Sequence, residues 1–169
     1  PSGVTIANSG TATGFGGGTT KKRHHFTNST RITPTAATDT DIFTWTAAFT
    51  PDDPVNNDMI IDWIVPMDTS GHYWGEYGIS FVNNSTTTRY TYFYRGYTGS
   101  YDGSTLQASH GQRFNLAANT LPAGTYTVYY RNGGPASGIS DQFMINTTDN
   151  ADVGGQTVAE LLITEWKNS

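Results

Sequence analysis

Residues 58–66 read DMIIDWIVP, and the way this run packs sets the architecture around it. Side chains of an extended strand point alternately to its two faces. Met59, Ile61, Trp63 and Val65 therefore share one face, and Ile60, Asp62 and Ile64 share the other. β-Branched and aromatic residues suit such a pleated surface. Apolar residues occupy both faces, so a strand covered on both sides is expected.

The same two-residue rhythm spreads outward. In DIFTWTAAF (41–49), Phe43, Trp45, Ala47 and Phe49 fall together, with Thr44 and Thr46 opposite. Tyr77, Ile79 and Phe81 repeat it in EYGISFV (76–82), as do Tyr126, Val128 and Tyr130 in TYTVYYR (125–131). Further strands are expected near 24–32, 87–95, 112–116 and 141–146. The tail TVAELLITEWKN (157–168) is rich in Ala, Glu and Leu, which favour helix. Yet Leu162, Thr164 and Trp166 alternate with Leu161, Ile163 and Glu165. A strand is expected, because a lone helix would find no helical partner.

The connectors agree. TPDDPVNN (50–57) reads as a loop, NNSTTT (83–88) as a hairpin tip, and NLAANTLPAGTYT (115–127) as a turn feeding a strand. Nineteen glycines and seven prolines break the chain into short runs. Together these features predict an all-β, antiparallel jelly-roll β-sandwich. Residues 1–20 are small, polar and glycine-rich, and read as a linker or stem end; residues 21–169 read as the head domain.

Charged residues make up 14% of the chain and the net charge is −5, which argues against nucleic acid as a partner. The one basic run, KKRHH (21–25), is short and reads as a solvated strand start, with an anion contact as the alternative. No apolar run reaches membrane-spanning length, so no membrane insertion is expected. There is no cysteine, so stability must come from a packed core or from oligomerisation.

YTYFYRGYTGSYDG (90–103) concentrates rings. Tyr90, Tyr92 and Tyr94 share one face of a strand; Thr91, Phe93 and Arg95 share the other. Gly96, Gly99 and Gly103 are expected to end the strand and to place Tyr97 and Tyr101 on a loop. HYWG (72–75) reads as a second ring-bearing turn. Rings beside Asp, Asn and Arg can hold a sugar, whose C–H face packs on the ring while polar groups take its hydroxyls. Tyr73, Trp74, Arg95, Tyr97, Tyr101 and Asp102 are the glycan-binding candidates.

Catalytic signatures are missing, and no catalytic residue, metal site or cofactor is expected. His24, His25, His72 and His110 lie in no spaced metal motif. Adjacent His24 and His25 point to opposite faces of a strand. Asp62, Glu76 and Asp141 could serve glycoside hydrolysis only if two of them converge. Asp52, Asp53 and Asn57 offer oxygens without the spacing of a calcium loop.

PSGVTIANSGTATGFGG (1–17) resembles segments that precede the C-terminal heads of bacteriophage tail-fibre and other virion structural proteins. AELLITEWKN (159–168) resembles the closing strand of such heads. The sandwich pattern between them is similar to trimeric jelly rolls of the tumour-necrosis-factor and complement-head type. The resemblance implies a homotrimeric knob, assembled in the host cytoplasm, that contacts other virion proteins and reads a host cell-surface polysaccharide. A trimer would also absorb a surplus of rings and cover a strand apolar on both faces. Two rival expectations stand beside it: an extracellular carbohydrate-binding module from a polysaccharide-degrading enzyme, and a purely structural capsid or tail component.

Overall fold

The computed structural model describes residues 20–30, 32, 40–70, 72–99, 105–133, 143–145 and 158–167. Within them the regular elements are all strands, joined by turns and loops and without a helix: β1 (Thr20–Asn28), β2 (Thr40–Phe49), β3 (Asn57–Ser70), β4 (His72–Asn83), β5 (Arg89–Gly99), β6 (Thr105–Leu116), β7 (Tyr126–Asn132), β8 (Phe143–Ile145) and β9 (Ala159–Lys167). The expected linker lies outside the described residues but for Thr20.

One sheet runs β1-β9-β3-β6, with β8 added to β3, and the other runs β2-β7-β4-β5; every pairing is antiparallel. The pairs β4–β5, β3–β6, β2–β7 and β1–β9 nest inside one another. The chain is thus one long hairpin rolled into two sheets, which is the jelly roll. At its tip, Asn83 Oδ1 accepts from the amides of Ser85 and Thr86 and shapes the turn between β4 and β5.

The core lies between the sheets. Met59, Ile61, Trp63 and Val65 face it from β3, and Tyr77, Ile79 and Phe81 from β4. Tyr130 sits at its centre, with its ring 5.2 Å from Phe43, 5.5 Å from Trp63 and 5.6 Å from Tyr77. A fully buried large side chain contributes roughly 2–3 kcal/mol. Several such rings outweigh the 2–4 kcal/mol, roughly, that a disulfide supplies, so the absence of cysteine is offset within one chain.

Several expectations are corrected, and one is narrowed: among the described residues nothing fully covers the outer face of β3, where Ile64 is 44% exposed and Ile60 and Asp62 are half-buried. The surplus of rings is smaller than the count suggests. Among the described side chains, every Phe, Tyr and Trp except Tyr129 and Trp166 lies in the core or packs against it. Ala47 leaves the face of Phe43 and Phe49, because the β2–β7 register slips between Thr44 and Thr46 and again before Phe49. Gly96 and Gly99 do not end β5, and HYWG is the start of β4 rather than a turn. Continuous pairing with β4 supplies the ladder hydrogen bonds that carry β5 through its glycines.

Candidate functional site

The two outer faces of the sandwich differ in chemistry. On the four-stranded sheet, polar groups satisfy one another. The Arg89 guanidinium lies 5.4 Å from the Tyr129 ring centre and donates to Ser80 Oγ at 2.8 Å. Its two terminal nitrogens also reach Asp41, at 2.7 and 2.8 Å. Arg131 donates to the same Asp41 at 2.6 Å. Burial pushes the Asp41 carboxyl up, but hydrogen bonds and charge from Arg89 and Arg131 outweigh it and hold the group below its ordinary value. Among the described side chains, these groups are engaged with one another.

The five-stranded sheet presents an open cleft of about 400 Å³, lined by Arg23, Ile60, Asp62, Arg113, Leu162, Thr164 and Trp166. Strand register explains the grouping. Arg23, Thr164, Ile60 and Asn115 form one row across β1, β9, β3 and β6. His25, Leu162, Asp62 and Arg113 form the next. Trp166 stands beyond the Arg23 row, across from Asp58. Among the described residues, no ion pair or hydrogen bond engages the Arg23, Asp62 or Arg113 side chains. Gly111 sits across from Ile64 at the rim, where a Cβ would meet the Trp63 carbonyl oxygen at 2.7 Å. Only glycine lets β6 lie that close.

Beneath this face, on the inner side of β9, Glu165 is wholly buried. Its oxygens accept from the Asp52 amide at 2.8 and 2.9 Å, the Asp53 amide at 3.4 Å and Asn57 Nδ2 at 3.4 Å. His24 Nε2 lies 2.9 Å away. The carboxylate therefore clasps the 50–57 loop to β9 and β1. Asp53 is occupied by Asn56, and Asn57 is buried against Glu165, so this loop is a structural clasp rather than a set of free cation ligands. Among the described residues, no group of three His, Asp or Glu side chains could hold a metal.

Of the predicted carboxylates, the two that are described do not converge. Asp62 lies on the outer face of one sheet and Glu76 on that of the other, since their neighbours Trp63 and Tyr77 point into the core between them. Asp141 lies outside the described residues. Of the glycan candidates, Tyr73 and Trp74 fall on β4 and Arg95 and Tyr97 on β5, where Trp74 pairs with Tyr97 and Glu76 with Arg95. Those strands bring four of the six candidates to one end of a hairpin. Tyr101 and Asp102 lie outside the described residues. The cleft gathers residues outside the glycan candidates: Arg23 within the basic run, Arg113 on β6, and Leu162, Thr164 and Trp166 on β9. The alternation of the tail had already set those three on one face.

No family model and no curated protein matches the chain. Among solved structures, a chain in "Structure of infectious bursal disease virus Gx strain" is similar at a TM-score of 0.42 and 11% identity, over 98% of this chain and 41% of that one. This chain thus spans less than half the length of that one. At such a TM-score the likeness carries no role across, and the jelly-roll assignment rests on the strand order itself.

Proposed function

We propose that the chain is a non-enzymatic head domain of a virion fibre that recognises a host-surface glycan and works as a homotrimer. The observation that carries the reading is the asymmetry of the two outer faces among the described side chains: on one, charged groups engage one another, and the other holds an open cleft floored by Trp166, Leu162 and Ile60 beside charged groups that no described residue engages. A mostly apolar floor with a few convergent polar groups is how small-ligand sites are built. The resemblance of residues 1–17 to segments that precede virion heads, and of 159–168 to the closing strand of such heads, supports the fibre context. The β4–β5 hairpin bearing Tyr73, Trp74, Arg95 and Tyr97 supplies a second region for contact with glycan. Three copies would multiply weak single-site binding.

A second reading, a monomeric carbohydrate-binding module, is favoured by one observation. A single chain already encloses most of its described rings, so they do not require a second copy. Light scattering separates the two. A mass of three chains at micromolar concentration is expected for the fibre head, and a stable single chain would overturn the trimer. A glycan array tests recognition in either case, and an array with no bound glycan would overturn both.

A further inference from the structure

We propose that the cleft across β1, β9, β3 and β6 is a subsite for an acidic saccharide, one whose ring bears a carboxylate as uronic acids do. The inference rests on the glycan-binding reading and names its ligand class.

The cleft holds two arginines against one aspartate, on a chain whose net charge is −5. With Asp58 and Glu160 in the flanking rows of the same face, long-range attraction is weak or absent, so the site selects an anion that is held by direct contact with an arginine and that carries its own binding surface. Its volume of about 400 Å³ lies in the range of small-ligand sites. Arg23 and Arg113 stand on strands three spacings apart, or roughly 14 Å. The space between them accepts a short oligosaccharide lying across the strands. Trp166 and Leu162 offer apolar surface to the C–H face of a sugar ring.

The rows assign the polar roles. Arg113 stands directly across from Asp62, so a ligand carboxylate there would meet a like charge. This pair suits hydroxyl groups, with Arg113 donating and Asp62 accepting. The Arg23 row contains Thr164, Ile60 and Asn115 and no acid. The carboxylate is therefore placed at Arg23, whose planar guanidinium can donate two parallel hydrogen bonds to it. Arg89 and Arg131 on the opposite sheet are both committed to Asp41, which leaves them less free for such a role. Nucleic acid is disfavoured because two arginines on an acidic chain cannot neutralise a run of phosphates.

The test is calorimetric titration of the full chain with two probes: a glucuronate-containing tetrasaccharide, and the same tetrasaccharide with its carboxyls reduced to alcohols. The acidic form should bind about tenfold more tightly, as expected for loss of a charge-assisted contact. Arg23→Gln, a substitution at an exposed position, should bind both forms alike while melting at the wild-type temperature. Equal binding of both forms by the wild type overturns the acidic assignment and leaves the glycan reading standing. Binding of neither form overturns the acidic assignment; if a glycan array is also blank, the glycan reading falls with it. If Trp166→Ala changes the mass of the particle but not saccharide binding, the cleft is a seam between copies and the proposal is overturned.

Discussion

Glu165 has no exposed atom, and the groups around it all donate hydrogen bonds. A carboxylate can only accept, so His24 carries its proton on Nε2. Glu165→Gln keeps the volume but turns one acceptor into a donor that must face another donor. It should lower unfolding free energy by about 2 kcal/mol, read from chemical denaturation, whereas a surface glutamate would show almost no change. Tyr126 makes a simpler case. Its hydroxyl donates to the Pro122 carbonyl four residues upstream and locks the turn into β7. Tyr126→Phe should cost about 1 kcal/mol by the same measurement. The sequence carried a signal for Glu165 that was easy to pass over: it shares a face with Leu161 and Ile163, and a carboxylate on an apolar face needs dedicated partners. Those partners come from the 50–57 loop and β1, more than a hundred positions away along the chain, and only the fold brings them together.

The strands themselves were legible, because two-residue alternation reports directly on a sheet with one face in the core. The tail is the clearest case: its composition favoured helix, yet Leu161 and Ile163 point inward and Leu162 and Thr164 do not. Glycine was the poorer guide. Gly96 and Gly99 stay in β5 because pairing with β4 on one side overrides local preference. The β4–β5 hairpin tip holds Thr87 at φ 58°, a left-handed conformation that costs a β-branched residue about 1 kcal/mol or more. Thr87→Gly should stabilise the domain by about 1 kcal/mol, seen as a higher denaturation midpoint; a lower midpoint would show that the threonine contacts outweigh the strain. Across the four-stranded sheet, Asp41 ties β2 to β7 and β5. Its carboxyl is held below its ordinary value of 3.8. A depressed folded value means that the contribution is present above that ordinary value and lost as pH falls through the folded one. Asp41→Asn should therefore lower the melting temperature at pH 7 and differ progressively less from the wild type as pH drops below 3.8. A gap that persists unchanged into acid would contradict the assignment.

At the level of the fold, most of the described rings are accounted for by a single core. A two-sheet sandwich has two inner faces to fill, so one chain consumes many more aromatic side chains than a single strand pattern suggests. The open cleft was illegible for a related reason. The cleft is assembled from β1, β9, β3 and β6, which reach it from both ends and the middle of the chain, and only nested pairing lays them side by side. What the alternation did disclose was a second apolar face on β3, and that face opens onto the cleft rather than onto a second core. Under the proposed function, this open sheet face is where the domain meets its glycan. The most direct test is a glycan array probed in parallel with the wild-type chain and Trp166→Ala, each confirmed folded by circular dichroism. Loss of the bound glycans in the variant is the predicted result; an array pattern unchanged in position and intensity would contradict it.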